Sequence, residues 1–167
     1  MIRQIDRSEL PECVDVIRKS FMTVADEFGF TPGNAPRFVA FSTDEERLRY
    51  QLDAQHRLMF ADYEDGRIAG FYSLLIGENY DCELGSLSVL PEYRHKGIGK
   101  ALVDHAREIA CEAGCTVMKL SIVEENTVLR RWYESLGAVH TGTEKFDFFP
   151  FTCGYMQFEL YGSGRTV

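Results

Sequence analysis

The sequence predicts an α/β (α+β) fold built on one mixed, mostly antiparallel twisted sheet. Two apolar strand patterns, Leu58 to Tyr63 and Ile68 to Leu75, are separated by the glycine-containing turn Glu64 to Arg67. Such a hairpin pairs its strands antiparallel. From Cys82 onward the patterns alternate as strand, helix, strand, helix and strand, and a strand–helix–strand unit is usually a right-handed parallel crossover. Both kinds of pairing are therefore expected in one sheet.

The first half of the chain supplies a strand and two helices before the hairpin. Met1 to Asp6 has a strand pattern, and apolar residues then recur at helical spacing as far as Phe28. Gly29 to Phe41 is interrupted by proline and glycine and cannot be regular throughout. Thr43 opens a capping-box pattern that predicts a second helix up to about Leu52.

The second half supplies the crossover units. A helix beginning near Ile98 has an apolar and a wetter face, and Gly114 suits its C-terminal end. Gly137 ends a further helix. With the first half, these elements give six to seven strands and about four helices. The remaining predicted bounds are Cys82 to Val89, Thr116 to Val123, Val139 to Phe146 and Cys153 to Leu160 for strands, and about Asn126 to Leu136 for the last helix.

Composition limits the classes of function. The chain has 167 residues, of which 45% are hydrophobic, and this suits one domain with a sizeable core. We predict a single domain over residues 1–161 and a flexible tail over residues 162–167. The net charge of -8 argues against nucleic-acid binding, because phosphate contacts need clustered Lys and Arg. That charge fits either attraction of a cationic substrate or solubility alone.

Apolar segments and cysteines bear on location and metal binding. No apolar run approaches the roughly 18 residues that span a bilayer, and the N-terminus lacks a signal-peptide core. We therefore expect no membrane partner. The cysteine number is odd and the spacing irregular, which indicates reduced thiols in a cytoplasmic protein. The spacing matches no zinc motif, so no metal is expected.

A basic turn with two glycines joins the strand ending at Val89 to the next helix. It contains Arg94-His95-Lys96-Gly97-Ile98-Gly99, followed by Lys100. Glycines let backbone N–H groups approach a ligand, and the first N–H groups of a helix attract phosphate. Three basic side chains add positive charge. The pattern predicts a pyrophosphate site, while an ordinary glycine-rich helix start remains the alternative.

Two other phosphate motifs fit this turn less well. A Walker A loop needs a longer spacing between its first glycine and the Gly-Lys pair than the sequence Gly97 to Lys100 provides. A dinucleotide fingerprint needs a further glycine or alanine where Leu102 stands. The flanking residues decide what the turn holds.

The strand and turn from Leu87 to Gly99, with Pro91 and an Arg-x-x-Gly-x-Gly pattern, resemble the acetyl-CoA motif of the GNAT superfamily of N-acetyltransferases. Downstream, Asn126 and then the block Trp132 to Gly137, with sequence WYESLG, resemble the next conserved block of that family. The two blocks occur in the family's order and at a similar separation. The resemblance implies a GNAT-like fold in which the central parallel strands splay apart.

The resemblance also implies acetyl-CoA as cosubstrate, without a metal. Backbone groups of Leu87 and Val89 should bind the pantetheine arm, and Asn126 should contact it. Backbone amides of the turn, with the Arg94 side chain, should hold the pyrophosphate. The splay should lie between the strands ending near Val89 and Val123. The implied cofactor-binding residues are Leu87, Ser88, Val89, Arg94, His95, Lys96, Gly97, Ile98, Gly99, Lys100, Asn126 and Tyr133.

Two residues are candidates for catalysis. Tyr133 matches the family's tyrosine near the thioester sulfur and could protonate the departing thiolate, or it could simply pack on a helix face with Leu129 and Leu136. Glu83 stands where some family members carry a catalytic glutamate. If buried, its carboxylate could accept the amine proton directly or through water; otherwise it faces solvent, and water or a backbone carbonyl serves as the base.

The resemblance implies acetyl transfer to a primary amine by direct attack in a ternary complex. The alternatives are a non-catalytic acyl-CoA-binding or regulatory domain of the same fold and, further away, an α/β domain for another nucleotide. In the family, segments corresponding to residues 28–42 and 145–155 build the acceptor site. Both are rich in aromatic residues, which could line a site for a small-molecule or peptide amine, or form core or a homodimer contact.

Overall fold

The structure is a computed structural model that describes residues 1–161, so the predicted tail over residues 162–167 lies outside the described part of the chain. The strands are β1 (Ile2–Gln4), β2 (Leu58–Glu64), β3 (Arg67–Ile76), β4 (Asp81–Val89), β5 (Val117–Val123), β6 (Val139–Lys145) and β7 (Thr152–Glu159). The α-helices are α1 (Leu10–Phe28), α2 (Val39–Ser42), α3 (Glu45–Asp53), α4 (Ile98–Glu112) and α5 (Thr127–Ser135). Short 3-10 turns span Arg7–Glu9 and Pro91–Tyr93.

These strands form one sheet in the order β1-β2-β3-β4-β5-β7-β6. Neighbouring strands pair antiparallel except β4 and β5, which are parallel. The parallel pair is connected through α4, as expected for a crossover unit. The predicted mixed, mostly antiparallel sheet is confirmed.

The four longer helices lie where the sequence predicts them, and α2 adds a short helix inside the predicted irregular segment. α1 ends at Gly29, whose φ of 74° is readily adopted by glycine. The start of α3 differs from the capping-box prediction: Asp44 is the N-cap and its carboxylate accepts a hydrogen bond from the Arg47 N–H. Thr43 is buried, and its N–H instead closes α2 by donating to the Val39 carbonyl.

Helices cover both faces of the sheet. α1 and α3 pack on one face, where Met59 and Phe71 belong to the apolar cluster. α4 and α5 pack on the other face, where Leu102, Met118 and Tyr133 belong to a second cluster. β4 and β5 lie in the middle of the strand order. The centre of the sheet therefore has helices on both faces.

β4 and β5 pair only near their N-terminal ends. The register stops at Glu83 and Lys119, although both strands continue. Beyond that point the β3–β4 register also shifts, and Ser86 has a left-handed φ of 49°. A bulge of this kind bends a strand and ends its pairing. The splay predicted between the ends near Val89 and Val123 is therefore confirmed, and the bulge lies in the part of β4 that has left β5.

Three general properties accompany this fold. None of the helices in residues 1–161 is both long and apolar enough to cross a membrane. All five cysteines lie in that range as free thiols. Within the same residues, no three His, Cys, Asp or Glu side chains converge as a metal-ligand set.

Candidate active site

A cavity of about 330 Å³ lies in the gap between the splayed strands, a size in the range of small-molecule sites. Leu84 to Leu87 of β4 and Leu120 to Val123 of β5 form its walls. Leu129 and Tyr133 of α5 bound one side, and Phe21 of α1 bounds the other. Since α1 and α5 cover opposite faces of the sheet, the cavity spans the sheet.

The β4 bulge shapes the wall where the pantetheine arm is predicted. Ser88 is buried, and its hydroxyl donates to the Ser86 carbonyl at 2.8 Å, which stabilises the bulge. Leu87 lines the cavity. The Val89 backbone, however, already has partners: its N–H donates to Ser20 Oγ at 3.2 Å, and its carbonyl accepts from Arg94 Nε at 3.2 Å. Of the two residues predicted to bind the pantetheine arm through their backbone, Leu87 is therefore the one that lies at the cavity.

The turn before α4 presents a run of unused backbone donors. None of the N–H groups from His95 to Lys100 donates to another group in the described part of the chain, and the first helical bond runs from the Ala101 N–H to the Gly97 carbonyl. Gly97 has a φ of 82° and His95 a φ of 63°, so the chain turns sharply into the helix. Such N–H groups at the positive end of a helix dipole form an anion site.

Arg94 is used inside the protein. Its Nη1 donates to Thr23 Oγ1 at 3.0 Å and its Nη2 to the Ser20 carbonyl at 3.0 Å, in addition to the Nε bond to Val89. Burial lowers the pKa of the guanidinium below its ordinary value, but an arginine stays charged at any working pH. The side chain therefore fastens the turn to α1 and to the end of β4.

The other side chains of the turn divide between solvent and core. Lys96 is exposed, with its Nζ 5.3 Å from the centre of the Tyr93 ring. Lys100 pairs with Asp104 at 2.6 Å, an exposed pair that contributes little to stability. Ile98 is buried against the core. The two lysines supply positive charge beside the unused amides, whereas Ile98 anchors the helix start.

Gly99 joins the two sequence blocks. A Cβ at this position would lie 3.1 Å from the Trp132 ring, so a side chain at residue 99 would force the ring to shift by a few tenths of an ångström. Trp132 in turn packs edge-on against Tyr133, with ring centres 4.9 Å apart. The glycine of the first block and the tyrosine of the second are thus both in contact with Trp132.

Asn126 is the N-cap of α5 and also lines the cavity. Its Oδ1 accepts a hydrogen bond from the Leu129 N–H at 3.2 Å, while its Nδ2 makes no hydrogen bond with residues 1–161. The turn is held in place by Glu125, whose carboxylate accepts from the Thr152 N–H at 2.8 Å. Asn126 therefore offers a fixed donor at the end of β5.

Tyr133 is buried among α5 and sheet residues but reaches the cavity wall. Its hydroxyl makes no hydrogen bond within the described residues. Burial raises the pKa of this phenol well above its ordinary value, so it keeps its proton at every pH at which a protein works. Packing and catalysis are compatible here, because the ring fills the core and the hydroxyl remains available as a proton donor.

Glu83 lies on the opposite part of the cavity lining. It is not buried: its side chain is 56% exposed, and its Oε1 accepts a hydrogen bond from Arg57 Nη2 at 2.7 Å. The Arg57 side chain is 11% exposed, and its Nη1 donates to Ser73 Oγ at 3.2 Å. The carboxylate is thus held by a largely buried guanidinium, a setting different from the buried carboxylate considered from sequence.

The aromatic segments form both core and cavity wall. Phe30, Phe38 and Phe151 are buried, with Phe30 and Phe151 ring centres 4.9 Å apart. Phe38 and Phe151, together with the half-buried Phe149, also line the cavity. Phe148 is 40% exposed. The two segments therefore pack on each other and close the cavity at the α1 side.

The lining also includes three larger polar side chains that were not singled out from sequence: Arg37, which lies within the predicted acceptor segment 28–42, Gln51 of α3 and Arg57 before β2. Arg57 had an indirect signal in the sequence. Gly85 interrupts a strand, which often marks a close approach, and a Cβ there would lie 2.9 Å from Arg57 Nη1. Gln51 reaches the cavity through tertiary packing alone.

Comparison with known proteins agrees with this geometry. A sequence profile of the Acetyltransferase (GNAT) family matches residues 25–138, which is more than half of the chain. An uncharacterized N-acetyltransferase of Mycobacterium tuberculosis is 29% identical over 115 residues, covering 69% of this chain and 74% of that protein. Thialysine N-ε-acetyltransferase of Bos taurus is 34% identical over 67 residues, 40% of this chain and 38% of that one.

Among solved structures, the PaiA N-acetyltransferase of Thermoplasma acidophilum, in complex with coenzyme A, has the same fold. Its TM-score is 0.82 at 22% identity, with 95% of this chain and 98% of that chain covered. The splayed strands, the amide-rich turn and the matched profile lead to one conclusion: the chain belongs to the GNAT family of acetyltransferases and is an acyltransferase enzyme.

Proposed function

We propose that this enzyme moves the acetyl group of acetyl-CoA to a primary amine by direct attack in a ternary complex. One observation carries the proposal: the gap between β4 and β5 brings Tyr133 and Glu83 to a single cavity. The unused amides at the start of α4 lie at the end of the same strand β4. A phosphate site, a proton donor and a proton acceptor are thus arranged around one space that crosses the sheet.

The residues present fit the CoA portion. The amides from His95 to Lys100, helped by Lys96 and Lys100, would hold the pyrophosphate, and the backbone at Leu87 with the Asn126 Nδ2 would bind the pantetheine amides. In this proposal Arg94 positions the turn and does not contact phosphate, because its donors already bind α1 and β4. Bound acetyl-CoA supplies an activated thioester.

The side chains then handle two protons. As the nitrogen of a neutral amine bonds to the acetyl carbon, the carbon–sulfur bond breaks, and the sulfur takes the Tyr133 proton. The nitrogen loses a proton to Glu83, directly or through water, and Glu83 is the only carboxylate in the cavity lining. General acid–base assistance of this kind contributes about 10²- to 10⁴-fold.

Direct attack is favoured over transfer through an enzyme thioester. Cys153 is the only thiol in the cavity lining, and burial, with Glu144 and Glu125 nearby, raises its pKa. A thiol that stays protonated is a poor nucleophile, and the cavity lining contains no histidine to deprotonate it. Cys153→Ala should therefore retain acetyl transfer.

Acceptor, location and assembly are proposals as well. Thialysine N-ε-acetyltransferase is named for a small-molecule amine, which supports a small-molecule or peptide amine here. Five free thiols support a cytoplasmic location, since such thiols persist in reducing compartments. A homodimer stays a prediction that sedimentation would test.

Two measurements test the proposed function. Calorimetric titration should show binding of acetyl-CoA and CoA but not of ATP, and a thiol-release assay over a panel of primary amines should show turnover. ATP binding without CoA binding would overturn the proposal. Acetyl-CoA binding with no turnover of any amine would favour the non-catalytic acyl-CoA-binding domain instead.

A further inference from the structure

The α1 side of the cavity is cationic in an acidic protein. Arg37 and Arg57 line it, and Glu83 is the only acidic residue of the lining. Two positive charges and one negative charge leave a local charge of about +1, whereas the whole chain carries -8. Random placement of the 18 basic and 26 acidic residues of the chain would favour an acidic lining. The sign of the local charge is therefore a feature of the site.

The two arginines differ in their partners. Arg57 is engaged by Glu83 and Ser73, so its charge is compensated within the protein. Arg37 makes no ion pair and no side-chain hydrogen bond with residues 1–161. Its guanidinium instead lies over the Phe148 ring, with Cζ 4.2 Å from the ring centre. A cation–π contact holds a guanidinium in place without using its N–H donors, so the exposed Arg37 side chain is positioned while its donors stay open to a ligand.

Apolar surface surrounds this cation. Phe38, Phe149 and Phe151 line the same part of the cavity, and Gln51 adds one amide. Glu83, the proposed acceptor of the amine proton, is in the same lining. An acceptor that binds here therefore meets a proton acceptor, an apolar wall and a free guanidinium.

Resting on the proposed function, we infer that the acceptor amine also carries an anionic group, a carboxylate or a phosphate, which pairs with Arg37. An apolar group between the amine and the anion, or beside them, would contact the phenylalanine wall. Amino acids with apolar side chains and short peptides have this chemistry. Polycationic amines do not, because Arg37 would repel a second positive charge.

The test compares matched acceptors in the thiol-release assay. L-Phenylalanine is paired with L-phenylalaninamide and phenethylamine for the carboxylate, and O-phosphoethanolamine is paired with ethanolamine for the phosphate. The variant is Arg37→Gln. Arg49→Gln is the matched control, because Arg49 is also solvent-exposed but pairs with Glu45 on α3 and does not line the cavity.

The decisive quantity is a double ratio: kcat/KM of the anionic acceptor over its neutral partner, in the wild type relative to Arg37→Gln. This ratio cancels differences in amine basicity between the two acceptors. We expect a value of roughly 10 to 100, the loss that follows removal of one charge-assisted hydrogen bond. KM for acetyl-CoA should not change, and Arg49→Gln should behave as wild type. The pair with the larger ratio identifies the anion.

Other outcomes separate the two proposals. If amines are acetylated but the double ratio is near unity for both pairs, the inference is overturned and the proposed function stands. If no amine is acetylated by an enzyme that binds acetyl-CoA, the proposed function fails and the inference fails with it. Equal loss with every acceptor in Arg37→Gln would show a structural role for Arg37 and would also overturn the inference.

Discussion

The two ends of β4 differ although they belong to one strand. From Asp81 to Glu83 the strand pairs with β5, and Cys82 is buried in the core there. From Leu84 onward β4 has left its partner, and Leu84 to Leu87 line the cavity that begins at Glu83. The paired end carries Asp81, Cys82 and Glu83, whereas the cavity end from Leu84 to Leu87 carries only leucine, glycine and serine. A local backbone feature, the Ser86 bulge, turns a core strand into the wall of a site.

The largest expected effect on acetyl-CoA affinity comes from removing that bulge. Ser86→Val places a β-branched residue where φ is 49°, a conformation that β-branched residues tolerate less well than serine, and so favours a straight strand. Acetyl-CoA affinity should fall about 10-fold or more, because the gap depends on the bend. Calorimetry measures the change. Ser86→Gly tolerates the same φ and should bind as wild type; equal affinity for both variants would show that the splay does not need the bulge.

A second pair of variants tests whether the turn before α4 binds acetyl-CoA, in contrast to an ordinary glycine at a helix end. Gly97 and Gly114 both have left-handed backbone, with φ of 82° and 86°, and open space where a Cβ would lie. Alanine should destabilise the fold by about 1–2 kcal/mol at either position. Only Gly97→Ala should also weaken acetyl-CoA binding, since it alone adjoins the unused amides. Denaturant unfolding and calorimetry on both variants check this, and a similar affinity loss in Gly114→Ala would contradict it.

The side of β5 that pairs with β7 along the whole strand provides a third test. Gly154 of β7 pairs with Ile122 of β5, and a Cβ there would lie 2.0 Å from Glu124 Oε2. That oxygen accepts from or pairs with His140 Nε2 at 2.9 Å. Gly154→Ala should displace the carboxylate and lower the free energy of unfolding by about 1–3 kcal/mol, the cost of an unsatisfied polar group.

Gly142 of β6 is the control for that variant, because nothing lies within 4 Å of its Cβ position. Gly142→Ala should be neutral within about 0.5 kcal/mol in denaturant unfolding. A loss in Gly142→Ala as large as that in Gly154→Ala would mean that the Glu124 contact is not the cause.

The smallest expected effect concerns pH. Burial raises the pKa of Tyr133, so the folded protein keeps this proton through pH 10, whereas the unfolded chain loses it near pH 10. The contribution of Tyr133 to stability is thus complete below about pH 10 and is lost only as pH rises toward the folded pKa. We therefore expect that ionisation of Tyr133 does not lower kcat below pH 10. The kcat–pH profiles of the wild type and Tyr133→Phe should then have the same shape up to that pH. A fall below pH 10 that Tyr133→Phe removes would contradict the raised pKa.

Much of the fold could be predicted from sequence because it depends on local periodicity. Alternating and helical apolar patterns located β2 to β5 and α4, and the glycine after α1 lies at a left-handed C-terminus as glycine often does. Asn126, predicted near the start of α5, is its N-cap. The splay followed from the family resemblance, not from the pattern of any strand.

The site was less accessible to sequence reasoning where it depends on long-range contacts. Arg94 lies in the motif, but its bonds to Thr23 and Ser20 join residues about seventy positions apart. Glu83 is exposed and pairs with Arg57, a residue 26 positions away in the sequence. The left-handed backbone of Ser86 has no sequence signal, because serine rarely adopts it. Each feature depends on which elements become neighbours.

The most direct test of the central claim replaces Tyr133 by phenylalanine. If the splay holds acetyl-CoA and the Tyr133 hydroxyl protonates the departing sulfur, kcat should fall on the order of 10²-fold while the Kd for acetyl-CoA changes less than about twofold. Tyr72→Phe is the control: Tyr72 is also buried, but its hydroxyl bonds to His105 Nδ1 at 2.8 Å, so stability should fall by about 1 kcal/mol with kcat retained. Full activity of Tyr133→Phe would contradict the account.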